Sequence, residues 1–165
     1  MPFAAYVVLR SIFYTSLYMP NTNETNRSKI LLVDDDTAEH RLVRELLDEF
    51  HASNIKIDSA FSAEEAIKKL DYSYDLVLSD IRMPAKDGFD LLKHVKNNFP
   101  EIDVFLITNY PSDANEVIKA MNSGASGYIR KSVGNDKDFV NEIVNAIKFT
   151  KLSKHSKDFK SATQT

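Results

Sequence analysis

From Lys29 to Leu152 the chain alternates between short apolar runs and stretches whose apolar residues recur at helical spacing. Ile30 to Val33 is four consecutive apolar residues, the pattern of a strand covered on both faces. Leu42, Leu46 and Phe50, beside Val43 and Leu47, then follow at i, i+4 spacing and predict a first helix with one buried stripe. Ile55 and Ile57 alternate with Asn54, Lys56 and Asp58, as in a half-exposed edge strand. Ser62 with Glu65 three residues on reads as a capping box opening a second helix, whose stripe is Ala63, Ala66, Ile67 and Leu70.

The same alternation runs to the end of this piece. Leu76–Leu78 predicts a third strand, and a third helix starts after Gly88 and buries Leu91, Leu92 and Val95. Val104–Ile107 predicts a fourth strand. A fourth helix follows with Ala114, Val117, Ile118 and Met121 inward, ending near Gly124. Tyr128–Ile129 predicts a short fifth strand, and a fifth helix buries Phe139, Val140, Ile143, Val144 and Ile147. Strict β–α alternation implies a parallel sheet with helices on both faces. Strands 1, 3 and 4 read as central and strand 2 as an edge. The expected fold is therefore α/β, a doubly wound five-stranded parallel sheet in flavodoxin-like order 2-1-3-4-5, (βα)5. Ligands of such sheets bind at the carboxyl ends of the strands, where the order reverses.

The flanks differ from this piece. Residues 1–28 are first apolar and then polar, and 153–165 are polar without an apolar face. The expected organisation is an N-terminal extension over 1–28, a domain over 29–152 and a disordered tail over 153–165. Arg10 interrupts the apolar N-terminus and costs about 2.5–3.5 kcal/mol for insertion. Phe3–Leu9 is too short to span a membrane, and no signal-peptide cleavage pattern follows. Membrane association is not expected. The stretch is expected to be a disordered or loosely docked extension, or to reflect a start assigned too early, with Met19 the likelier start.

Composition adds limits. With 165 residues and 43% hydrophobic content the chain has one ordinary domain's worth of core. There is no cysteine, so disulfides and thiolate zinc sites are excluded. The net charge of −3 gives no pull toward nucleic acid, and no helix-turn-helix or basic stripe appears. Both flanks are net positive, so the acidic excess lies in the middle piece. No Gly-rich phosphate loop appears, so ATP is not expected as a direct donor. Four histidines fall among polar residues and are expected at the surface with no role.

Part of the acidic excess collects at the predicted strand ends. Strand 1 ends in Asp34, Asp35 and Asp36, strand 3 in Ser79 and Asp80, strand 4 in Thr108 and strand 5 in Arg130 and Lys131. Carboxylates crowded together repel, and a divalent cation relieves them. An all-oxygen set without His or Cys favours Mg²⁺ over Zn²⁺. Beside Mg²⁺ an aspartate can act as a nucleophile toward phosphorus. Thr108 and Lys131 could then meet the phosphoryl oxygens. Taken singly, these residues also read as a solvated turn, a strand end and a helix N-terminus. Asp36 fits a helix cap.

ILLVDDD, LVLSDIRMPAKDGFDLL, FLITN and GASGYIRK, in that order and at those strand ends, resemble the four signature segments of response regulator receiver domains. The resemblance covers residues 29–152. It implies that Asp34 and Asp35 hold Mg²⁺ together with Asp80 and the Arg82 backbone carbonyl. It implies that Asp80 is the phosphoacceptor, that Thr108 and Lys131 contact the phosphoryl group, and that Tyr128 is the aromatic that switches with Thr108. It further implies a cytoplasmic two-component protein, catalysing only its own phosphoryl transfer and slow autodephosphorylation. The donor would be a sensor histidine kinase or a histidine phosphotransfer protein. With no effector domain expected after helix 5, output would pass to a protein target through the helix 4–strand 5–helix 5 face, with no direct nucleic-acid contact.

Two positions depart from the family pattern. Asn109 stands where a small residue usually follows the switch threonine, and Ser132 stands where proline usually follows the lysine. A cis bond before serine costs roughly 2.5–4 kcal/mol, which works against the family's usual cis bend at this place. Arg82, Asn109 and Tyr110 are expected to restrict the water that would hydrolyse an aspartyl phosphate. Two other readings compete. Asp34 and Asp36, with Thr37, superficially fit the first-strand fingerprint of haloacid dehalogenase-like phosphohydrolases, although no acidic pair follows Lys131 in a strand context. A non-phosphorylated receiver-like interaction module would not need the full acid, Thr and Lys set.

Overall fold

The computed structural model describes residues 27–49, 54–108, 114–131 and 136–162. Five strands alternate with five helices: β1 Ser28–Val33, α1 Thr37–Glu49, β2 Ile55–Ala60, α2 Ala63–Lys69, β3 Leu76–Asp80, α3 Gly88–Asn98, β4 Asp103–Thr108, α4 Ala114–Asn122, β5 Gly127–Arg130 and α5 Asp136–Ala162. The sheet is parallel in the order β2-β1-β3-β4-β5, as the alternation predicts.

Two apolar layers follow from strand geometry, since successive side chains point to opposite faces. Leu31, Val33, Val77, Val104 and Leu106 meet Ala66 of α2 and Leu91, Leu92 and Val95 of α3 on one face. Ile30, Leu32, Leu76, Leu78, Phe105 and Ile107 meet Val43 and Leu47 of α1 and Phe139, Ile143 and Ile147 of α5 on the other. Each such buried Leu or Ile contributes about 1.5–3 kcal/mol. β2 and β5 are the edges and are only partly buried.

Caps set where the helices begin. Ser62 accepts from the Glu65 amide as expected, but the Glu65 carboxylate reaches back one residue further, to the Phe61 amide. Asp87 and Asp90 form a full capping box at α3, so the helix includes Gly88 as its first residue.

Two expectations are corrected. The disordered tail assigned to residues 153–165 is helical through Ala162. No proline or glycine stops α5, Thr150 is buried, and Lys154 pairs with Asp75 at the start of β3. The α4 stripe is rotated: Ala120 is buried, whereas Ile118 and Met121 are 56% and 49% exposed. Ala114 is exposed too, and Val117 alone of the expected stripe is half-buried, beside Glu116, which has polar partners near β5. Residues 1–26, Phe50, Asn109, Tyr110 and the Lys131–Ser132 junction lie outside the described residues.

Candidate functional site

The carboxyl ends of β1, β3, β4 and β5 open into a cleft of about 220 Å³ lined by Asp34, Asp35, Asp36, Glu39, Asp80, Arg82, Thr108 and Lys131. The topology puts them there. β1 and β3 are neighbours in the sheet, and α1 leaves β1 toward one face while α3 leaves β3 toward the other, so the rim between them stays open.

Asp34, at the end of β1, is buried with both oxygens engaged. Oδ1 accepts the Asp36 amide at 2.8 Å and Oδ2 accepts Lys131 Nζ at 2.8 Å. Asp35 is exposed at the lip. Asp36 is exposed as well and accepts the Ala38 amide at 2.8 Å, which is the helix-capping role expected of it.

Asp80 ends β3 on the cleft floor and is 7% exposed. Its Oδ2 accepts the Arg82 amide at 2.8 Å, and its Oδ1 lies 3.5 Å from Lys131 Nζ. Burial pushes this carboxyl up to about 6. Lys131 opposes that rise, the Asp34 charge adds to it and the Arg82 amide opposes it. Gly88 lets α3 approach this turn: a Cβ there would fall 2.4 Å from the Asp80 carbonyl oxygen and 2.9 Å from Ile81 Cα.

Lys131 follows β5, and its amide bonds the Thr108 carbonyl at 2.8 Å, which ties the two strand ends together. Its ammonium is buried. Burial alone would lower its pKa, but the Asp34 hydrogen bond and charge, then Asp80 and Glu39, outweigh that and hold it above its usual value. Thr108 is buried at the end of β4, with a hydrogen bond from its side chain to Tyr128. The Tyr128 hydroxyl donates to Glu116 Oε2 at 3.0 Å. Burial first, then this bond, pushes the phenol up to about 12.

Three residues escaped the sequence reading. Glu39, in the first turn of α1, places Oε1 3.5 Å from Lys131 Nζ and makes a third carboxylate around that ammonium. The signal was its spacing, three residues after Asp36. His40 is buried rather than at the surface: its Nε2 lies 2.9 Å from the Asp34 carbonyl and its ring packs on Phe61. Glu116 contacts both Tyr128 and Arg82. No sequence spacing announces these last two, because they depend on how α1 and α4 are rotated.

The arrangement thus brings Asp34, Asp35, Asp80, Arg82, Thr108 and Lys131 to one cleft, with Tyr128 behind Thr108. One acidic residue sits on the floor, a lysine bridges two carboxylates, and a hydroxyl waits at the next strand end. The response regulator receiver domain model matches residues 30–144. The chain is 37% identical over 116 residues to the transcriptional regulatory protein CpxR of Escherichia coli, covering 70% of this chain and 47% of that one. It is 34% identical over 110 residues to ResD of Bacillus subtilis, covering 66% and 44%. The chain therefore spans about half the length of these relatives. A response regulator receiver domain from Clostridium thermocellum superposes with a TM-score of 0.61 at 31% identity, covering 76% of this chain and 98% of that one. Fold, strand-end chemistry and sequence relatives agree, and the chain belongs to the response regulator receiver domain family.

Proposed function

We propose that the chain is a phosphoacceptor switch in which Asp80 takes a phosphoryl group from a phosphohistidine of a sensor histidine kinase or histidine phosphotransfer protein. The observation that carries this reading is Asp80 itself. It is a buried carboxylate with one oxygen fixed by a backbone amide and the other turned toward a lysine. The Lys131-facing oxygen attacks phosphorus, the P–N bond breaks, and its electron pair returns to the donor imidazole. Lys131 and the Thr108 hydroxyl are the groups near enough to meet the transferred oxygens. Asp34 is a poor nucleophile by comparison, since both its oxygens are engaged, which argues against the dehalogenase-like reading.

The residues suit Mg²⁺. Among the described residues no three carboxylates make a ready metal cage, but Mg²⁺ keeps several waters and asks for only one or two. Asp34, Asp35, Asp80 and the Arg82 carbonyl would hold it. Once bound, it would neutralise charge on the phosphoryl oxygens.

Output runs to a protein target through α4, β5 and α5. Exposed Ile118 and Met121 on α4 support a protein-binding face there. Among the described residues no helix is long and apolar enough to cross a membrane. The proposed exchange is cytoplasmic and involves no direct nucleic-acid contact. Of the residues expected to shield the aspartyl phosphate, Arg82 lines the cleft, and Asn109 and Tyr110 are not among the described residues. Acetyl phosphate with Mg²⁺ should add one phosphoryl group by intact mass. Addition that persists in Asp80→Asn would refute the assignment.

A further inference from the structure

The Glu116 carboxylate is shared. One oxygen, Oε2, accepts the Tyr128 hydroxyl at 3.0 Å; the other, Oε1, lies 3.7 Å from Arg82 Nη2. Glu116 sits on α4, Tyr128 on β5, and Arg82 two residues beyond Asp80. The Tyr128 hydroxyl is also hydrogen-bonded to Thr108. The Arg82 amide in turn holds Asp80 Oδ2. A continuous path therefore leaves the cleft on one side through Thr108 and Tyr128 and returns on the other through Glu116 and Arg82.

We infer that Glu116 is a positioning residue that holds Arg82 and the Tyr128 hydroxyl in the resting protein and gives up Arg82 when Asp80 carries a phosphoryl group. This inference rests on the phosphoacceptor reading above. A phosphoryl group adds a doubly charged anion with three strong acceptor oxygens. Arg82 lines the same cleft, and a guanidinium binds phosphoryl oxygens better than it binds one distant carboxylate oxygen. The Arg82–Glu116 pair is weak, with the Arg82 side chain 62% exposed, so it is the contact that yields. Thr108 is drawn toward the same oxygens. Tyr128 then loses its partner on the cleft side while Glu116 loses its cation, and both changes fall where α4 meets β5. The ligand shifts the equilibrium only by its differential contact with the two states, and Glu116 sets part of that difference by competing for Arg82.

The competition is tested in the full chain with beryllium fluoride and Mg²⁺ as the phosphoryl stand-in. Affinity is read by titration, and the Tyr128 ring is followed by aromatic NMR. Glu116→Gln keeps an acceptor for Tyr128 but removes the charge that holds Arg82. It should bind beryllium fluoride roughly two- to fivefold more tightly, the range of an exposed ion pair. Its resting Tyr128 ring signals should stay near wild type. Glu116→Ala should move those ring signals in the resting protein. In an Arg82→Ala background, Glu116→Gln should change the affinity no further. Wild-type affinity in Glu116→Gln, or the same gain in the Arg82→Ala background, overturns the role given to Glu116 alone. Failure of the wild-type chain to bind beryllium fluoride, together with failure to take phosphate from acetyl phosphate, overturns the phosphoacceptor reading and this inference with it.

Discussion

Lys131 donates a 2.8 Å hydrogen bond to Asp34 from 97 residues further along the chain. The bond joins β5, an edge strand, to the acidic turn after β1 and spans the cleft that contains Asp80. A cation entering the cleft has to share or displace that ammonium.

Removing the ammonium should therefore separate metal binding from phosphoryl uptake. Lys131→Ala leaves Asp34, Asp80 and Glu39 without their common cation. Mg²⁺ affinity should rise about tenfold, the size of a 1–2 kcal/mol electrostatic change, and phosphorylation by acetyl phosphate should fall. Calorimetric Mg²⁺ titration measures the first effect. An unchanged or weaker Mg²⁺ affinity would show that Lys131 does not compete with the metal.

The acceptor should also carry a pH signature. In the fold Asp80 keeps its proton up to about pH 6, against an ordinary 3.8. Folding thus takes up a proton between those values, and stability falls as pH rises through that window. Asp80→Asn removes the cost of the buried charge. Its stability should exceed wild type by about 1–2 kcal/mol at pH 7.5, after allowance for solvent screening and the lost Lys131 contact. The gap should shrink toward pH 4. Thermal denaturation without Mg²⁺ across pH 4–8 follows it, and a constant gap would mean that the carboxyl is not destabilised by burial.

Gly88 should be intolerant of a side chain in a way that reaches the chemistry. A methyl there meets the Asp80 carbonyl and the Ile81 Cα, both backbone, so the turn has to move. Gly88→Ala should cost about 1–3 kcal/mol and also slow phosphorylation. Gly124→Ala is the control. Its φ of 90° also makes a side chain costly, by about 1–2 kcal/mol, but it lies in the turn after α4, away from the acceptor. Denaturant titration and phosphorylation rates of the two variants, compared side by side, should show both effects in the first and only the stability loss in the second.

The later turns of α5 should depend in part on the Lys154–Asp75 pair. Lys154→Ala removes the pairing with Asp75. Global stability should drop by less than about 1 kcal/mol, as for other partly exposed pairs. Amide exchange beyond Thr150 should quicken by a larger factor than elsewhere. Uniform exchange along α5 would place the anchor elsewhere.

Most of the sheet was legible because its strands are short runs of Val, Ile and Leu, buried on both faces, with carboxylates placed abruptly at their ends. Asp34, Asp80, Thr108 and Lys131 could be placed by counting from those runs. What resisted reading depends on the rotation of helices. Ile118 and Met121 have helical spacing and apolar side chains, yet of that stripe α4 keeps only Val117 half-buried, beside Glu116. His40 sits among polar neighbours in the sequence, and only the roll of α1 brings its ring under the Asp34 carbonyl. The end of α5 was hidden for a different reason. Its polar residues carry no periodic stripe, and the contact that holds them is to a residue 79 positions earlier.

The bridge from Lys131 to Asp34 also sets an order of assembly during synthesis. On the ribosome the strand ends of β1, β3 and β4 emerge before β5 does, and domains fold from the N-terminal side as length allows. Until β5 docks at the sheet edge, the nascent chain presents Asp34, Glu39 and Asp80 without the ammonium that balances them. The acidic cluster itself disfavours early closure of that rim. A competent cleft therefore forms only when nearly the whole domain has been made, and a truncated product ending before Lys131 would have the acceptor but not a working switch.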